Sequence, residues 1–298
     1  MPASTLSRTA VAALGLATAA ALTLSACSTS EDSADGKPSV VASTNVWGSV
    51  ATAIAGDDAN VKSIIADPST DPHSFESSPT DAAELTDADL VVYNGGGYDE
   101  FVDKVLDNAK SKRTVDAFAI NSDRTDRNEH VFYDISTVDA VANRIAAQLA
   151  ELDPPKAKAY TDRATEFAAK LRGISDITAG IARDHPKAPV AQTEPIAHYL
   201  LVAAGVEDLT PPEFEEAIEE GTDPSPNAVA ATRDLLSSNK VRALVYNSQT
   251  EDKVTQEMKS AAEKSGTRIV QVTETLPEGL DYIAWQTQNA RALAAALG

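Results

Sequence analysis

The sequence predicts an α/β protein of two lobes, each built on a mostly parallel sheet, joined by a single long spine helix. Three observations carry that expectation. Short β-branched runs alternate with helical patterns in both halves of the chain, an alternation that calls for crossover connections between parallel strands. Between the halves lies a stretch of helical spacing with no strand signal. At 298 residues the chain is also long enough for two core-bearing lobes.

The first lobe is assigned to residues 39–135. Residues 39–44 form a β-branched run and 46–54 have helical spacing. A second strand at 61–66 leads into a polar loop that bears His73. A helix begins at Pro79, with Thr80 and Asp81 in the cap region, and runs to Ala88; the third strand is 89–93. The run Gly95-Gly96-Gly97 lacks the Lys and Ser/Thr of a phosphate loop and the spacing of a dinucleotide fingerprint. It reads as a tight strand-to-helix turn, where glycine takes backbone angles other residues avoid. A helix at 101–109 and a strand at 113–117 follow.

Residues 136–186 form a helical connector. Val138, Val141, Ile145 and Leu149 recur at helical spacing before Pro154-Pro155 breaks the pattern. Tyr160, Ala164, Phe167, Leu171 and Ile174 then share one face of a helix at 156–183, which would span about 42 Å. The second lobe, 187–298, has strands at 188–193, 241–246 and 268–272, with helices at 195–204, 224–236, 249–264 and 281–297. The two lobes share no sequence repeat; their likeness is architectural.

The N-terminus speaks to location. Residues 1–26 carry one charged side chain, Arg8, then an Ala/Leu-rich run through Leu24 and small residues ahead of Cys27, the features of a secretory signal peptide. The apolar run is short for a membrane span, which needs about 20 residues. Residues 27–38 are polar and acidic and read as a flexible leash. Cys27 is the only cysteine, so no disulfide forms within the chain. The net charge of −20 argues against nucleic acid, which demands a basic patch, and is compatible with a cationic ligand.

Two of the four histidines sit in similar polar loops with acidic neighbours: His73 within 71–76 and His130 within 128–132. They read as two halves of a transition-metal site, because neutral imidazole is the commonest metal ligand and carboxylates complete such pockets. Glu194 and Glu274 directly follow predicted strands, at the sheet edge where ligands of open α/β sheets bind. Two imidazoles and two carboxylates would neutralise a divalent cation and fill four or more positions. The simpler reading of Glu194 is a helix N-terminal acid, and of Glu274 a solvated loop acid. His185 and His198 read as structural. The Glu-rich segment 211–226, with Glu213, Glu215, Glu216, Glu219 and Glu220, reads as a solvated face, with a permease contact as the alternative.

These motifs resemble a known family. Leu24-Ser25-Ala26-Cys27 resembles the lipobox of bacterial lipoproteins, which implies diacylglyceryl on Cys27 and cleavage just before it. The rest, over 39–298, is similar to the metal-specific solute-binding lipoproteins of bacterial ABC importers, the cluster A-I family that handles zinc, manganese and iron. Asp71-Pro72-His73-Ser74-Phe75-Glu76 matches the family's first ligand loop, and 128–134 matches the second with Glu129, Phe132 and Tyr133 substituted. Val91-Val92-Tyr93-Asn94-Gly95, followed by Glu100 and Phe101, fits a segment of the family's first lobe. Glu194 stands at the third ligand position, which is His in many zinc members and Glu in manganese members. Glu274 stands at the fourth, where Asp is more usual.

The resemblance implies a metal site of His73, His130, Glu194 and Glu274 in the interlobe cleft, a rigid spine and limited lobe closure. It also implies a monomer, tethered to the outer face of the cytoplasmic membrane, that passes manganese or zinc to an ABC permease with its ATPase. Mixed imidazole and oxygen donors lean toward manganese, although zinc ranks above manganese in intrinsic affinity; ferrous iron comes third. A surface metallohydrolase or a metal-binding adhesin are the alternatives. No His-Glu-x-x-His helix or nucleophile elbow supports catalysis, so no enzyme activity is expected.

Overall fold

The computed structural model describes residues 36–107, 109, 112–122 and 128–298. The expected signal peptide, Cys27 and most of the expected leash lie outside the described residues. Among the described residues no helix is long and apolar enough to cross a membrane.

The β-branched runs assemble two four-stranded sheets, and every strand pair in both is parallel. The first contains β1 (Ser39–Thr44), β2 (Asn60–Ile65), β3 (Leu90–Tyr93) and β4 (Thr114–Asp116), in the order β2-β1-β3-β4. Its helices are α1 (Asn45–Ala55), α2 (Pro79–Asp87), α3 (Glu100–Leu106) and the single turn α4 (Ala117–Ile120). Strands buried on both faces need continuous apolar runs. Accordingly Val40, Ala42 and Val92 pack with Trp47, Val50 and Ile54 of α1, while Val41 and Val91 pack with Leu85, Phe101 and Val102 on the other face.

Two local features differ in detail from expectation or confirm it. The cap of α2 is Ser78, whose Oγ accepts the Asp81 N–H while the Asp81 carboxylate accepts the Ser78 N–H. Gly95, Gly96 and Gly97 all have positive φ (73°, 72° and 101°), as a tight turn requires. The N–H groups of Asn94 and Gly95, which a phosphate would need, donate instead to Asp99 at 2.7 and 2.8 Å.

Helix α5 (Ile135–Leu152) leads into α6 (Ala157–Asp184), the 28-residue spine, about 42 Å long. Its buried stripe is Tyr160, Ala164, Phe167, Leu171, Ile174, Thr178 and Ile181. Near its start, the Arg163 guanidinium donates to the carbonyls of Ile54 and Ala55 at the end of α1, at 2.6 and 2.8 Å.

The second sheet contains β5 (Pro189–Gln192), β6 (Glu207–Asp208), β7 (Ala243–Asn247) and β8 (Arg268–Val272), in the order β6-β5-β7-β8. It therefore repeats the strand order of the first without a sequence repeat. Its helices are α7 (His198–Ala203), α8 (Pro212–Glu219), α9 (Pro226–Ser237), α10 (Lys253–Ser265) and α11 (Tyr282–Leu297). The edge strand β6 and helix α8 were not foreseen. Two residues carry no periodicity, and α8 is largely Glu with only Phe214 and Ile218 as buried anchors.

One apolar cluster runs through both sheets, from Val40 and Trp47 through Phe167 and Leu171 of α6 to Val190, Val245 and Leu293. Helix α11 reaches back to the first lobe: the Tyr282 N–H donates to Ser49 Oγ at 2.9 Å and its hydroxyl to the Phe132 carbonyl at 2.7 Å. Separating the sheets would break this shared core, so the architecture resists wide hinge opening.

Candidate metal site

The carboxyl ends of strands from both sheets face one cleft, and the predicted site residues meet there. His73 hangs on the loop after β2. Asp71 shapes that loop, accepting the His73 N–H at 2.9 Å and the Ser74 hydroxyl at 2.8 Å, a local turn that competes with regular structure. The His73 ring stands edge-on to Tyr98, with centroids 4.7 Å apart.

His130 precedes a 3-10 turn, Val131–Tyr133, and is completely buried. Asn128 Oδ1 accepts the His130 N–H at 2.9 Å and lies 3.1 Å from Nδ1. An amide oxygen only accepts, so Nδ1 carries the proton and Nε2 keeps its lone pair toward the cleft. The Asn128 amide nitrogen is anchored in turn on the Pro195 carbonyl. A partner of this kind orients an imidazole that binds metal.

The opposite wall is acidic. Glu194 follows β5, Glu274 follows β8, and both are nearly fully buried. Asn247, at the end of β7, donates its two amide hydrogens to them: 2.9 Å to Glu194 Oε2 and 2.8 Å to Glu274 Oε1. Thr250 donates to Glu194 Oε1. Gln249 Oε1 accepts the N–H groups of Glu274 and Thr275 and fixes that loop.

The unpartnered atoms converge. Nε2 of His73, Nε2 of His130 and Oε2 of Glu274 are buried without hydrogen bonds, and all three lie within 4.8 Å of one another. His73 Nε2 stands 3.4 Å from Glu274 Oε2, close enough for charge attraction but without hydrogen-bond geometry. Donors about 2.1 Å from a tetrahedral ion stand about 3.4 Å apart, so this spacing fits one small divalent cation. Glu194 lines the same cavity, joined to Glu274 through Asn247.

The family described as "ZnuA: Zinc-uptake complex component A periplasmic" matches residues 40–296. The chain belongs to the ZnuA family. Among its relatives is the metal ABC transporter substrate-binding lipoprotein ScbA of Streptococcus cristatus, 26% identical over 300 residues, covering 92% of this chain and 94% of that one. The manganese ABC transporter substrate-binding lipoprotein ScaA of Streptococcus gordonii is 26% identical over 250 residues, covering 77% and 79%. The structure also matches that of the periplasmic zinc-binding protein TroA from Treponema pallidum, with a TM-score of 0.73 at 21% identity over 88% of this chain and 100% of that one. That likeness shows the two-lobe α/β fold.

In this ZnuA-family cleft, burial and charge oppose each other. Burial works against the charged form of His73, but the Glu274 carboxylate beside it, with Glu219 and Asp71, outweighs burial and pushes its pKa up to about 9. Burial, with the charges of His73 and His198, holds His130 well below its ordinary value, so it stays neutral. Burial pushes Glu194 up to about 7 despite its bonds to Thr250 and Asn247. The metal-free cleft thus holds protons that a cation would displace.

Sequence reasoning missed three groups. Asn247 and Thr250 look like ordinary strand-end polar residues. Glu219, taken for part of a solvated face, sits in the cleft with its side chain only 14% exposed. The sole hint was the pair Phe214 and Ile218, spaced as one buried helix face.

Proposed function

We propose that this protein is the extracytoplasmic binding component of an ABC importer, carrying manganese or zinc as cargo to a permease driven by its ATPase. The observation that carries the reading is the meeting of two unpartnered imidazole nitrogens with a buried carboxylate oxygen, all within 4.8 Å of one another. His73 and His130 supply neutral nitrogen donors, and Glu194 and Glu274 supply charge-neutralising oxygens. The imidazole and oxygen mixture favours manganese as physiological cargo, with ferrous iron less favoured.

Residues 1–26 then direct export, Cys27 carries the lipid, and 27–38 form the leash. Two acyl chains give the stable attachment that a single chain does not. Lobes at 39–135 and 187–298, bridged by 136–186, present the loaded cleft as a monomer. The reading is of a carrier and not an enzyme. Metal-assisted hydrolysis needs an open coordination position and a base that is not a ligand, and the sequence offers neither a His-Glu-x-x-His helix nor a nucleophile elbow.

Calorimetry on residues 39–298, stripped of metal, tests the reading. One manganese or zinc ion per chain is expected, lost in His73→Ala while the circular dichroism spectrum is unchanged. Full affinity in that variant would overturn the ligand assignment.

A further inference from the structure

We propose that Glu219, at the end of α8, is a fifth donor to the cargo and tunes the site toward manganese over zinc. This inference rests on the importer reading of the same cleft. Glu219 Oε1 lies 3.3 Å from His73 Nε2 and 3.5 Å from His130 Nε2, the spacing that donors around one small ion adopt. Its second oxygen, Oε2, is buried with no hydrogen-bond partner. Facing it, the His130 Nε2 is fully buried, unpartnered and aimed into the same space.

The local structure sharpens the point. A helix C-terminus carries partial negative charge, so an acid in its last turn is disfavoured and a cation favoured. Glu219 is the final residue of α8, and Glu220 follows as the cap. Among the described residues no lysine or arginine pairs with Glu219; it faces the two histidines, with the carboxylates of Glu274, Glu194 and Glu129 nearby. A buried carboxylate in that position is costly unless a cation answers it. Phe214, fully buried, and Ile218 lock α8 against the lobe and hold the carboxylate in place.

The other four donors come from loops, three of them directly after strands, whereas Glu219 arrives on a separate helix, beside Gly221 and Thr222 at the cavity wall. With it the site holds two imidazoles and three carboxylates. Zinc in protein sites is usually four-coordinate with nitrogen and sulfur donors, while manganese accepts more oxygens and higher coordination. A fifth, oxygen donor therefore contributes more to manganese.

The test is competition calorimetry on residues 39–298 with Glu219→Ala and the isosteric Glu219→Gln, together with the electron paramagnetic resonance spectrum of bound manganese. Manganese affinity is expected to fall about ten-fold or more, zinc affinity by less than about three-fold, and the manganese spectrum to change. Unchanged manganese affinity and spectrum, or equal loss of both metals, would overturn the proposal. His73→Ala run alongside separates the two readings. If it abolishes binding while the Glu219 variants bind normally, only the fifth-donor proposal falls. If His73→Ala itself binds both metals normally, the importer site falls and the proposal with it. A thermal melt of each variant confirms that the fold is intact.

Discussion

The two walls of the cleft are built in different ways. On the imidazole wall each ring is aimed by a neighbour two residues away: Asp71 turns the His73 loop and Asn128 sets the His130 ring. On the carboxylate wall the supports are distant in sequence, since Asn247 lies 53 positions from Glu194 and 27 from Glu274. Short-range bonds aim both rings, and the His130 loop is tied as well to the second lobe through the Pro195 carbonyl and the Tyr199 hydroxyl. Bonds from the end of β7 hold the two acids together across the second sheet. The nitrogen side is therefore aimed mainly from within its own loops, and the oxygen side from across a lobe.

The largest effect should come from the imidazole wall. His130→Ala removes a donor and a buried ring packed near Tyr98 and Phe132, and should lower manganese and zinc affinity by about 100-fold or more in calorimetry. Stability should also drop, by about 2–4 kcal/mol in urea unfolding, because the ring leaves a cavity.

Acid should act nearly as strongly, and through both walls. In the metal-free cleft His73 holds its proton up to about 9, and burial keeps Glu219 and Glu194 protonated up to about 8 and 7. A cation must displace those protons, so affinity rises with pH and falls as pH drops below these values. From pH 8 to pH 6 the loss should be about ten-fold per unit for each proton released. A binding constant flat over that interval would mean these groups are not displaced by the ion.

The carboxylate wall should break at its support. Asn247→Ala leaves Glu194 and Glu274 without their shared donor, so metal affinity should fall about ten-fold. The metal-free protein should lose about 1–3 kcal/mol, since two buried acceptors go unsatisfied. Excess manganese should restore part of that stability, because only the folded state binds it. The smallest effect is expected from Asp71→Ala, which loosens one loop and leaves every donor present; a few-fold loss, measured in the same titration, would fit.

The same contrast explains what the sequence made legible. The strands were readable because parallel, doubly buried strands such as 40–42 and 90–92 are continuous apolar runs. The spine was readable because its buried stripe keeps helical spacing for the length of α6. His73 and His130 were readable because their orienting partners lie beside them in the chain. Glu194 and Glu274 could be placed only as residues following strands, and Asn247, which joins them, left no local mark. Glu219 was hidden by its own neighbourhood: five glutamates between 213 and 220 look solvated until Phe214 and Ile218 turn one face of α8 inward. Even the cap of α2 moved to Ser78, since several adjacent residues have side chains that suit the role.

The central claim is that one divalent ion sits between the two walls, held by His73 and His130 from one side and by Glu194 and Glu274 from the other. Anomalous diffraction from crystals of the manganese-loaded protein tests it most directly. A single full-occupancy peak is expected about 2.0–2.3 Å from both Nε2 atoms and from oxygens of both carboxylates. A peak elsewhere on the molecule, or no stoichiometric peak in the cleft, would contradict it.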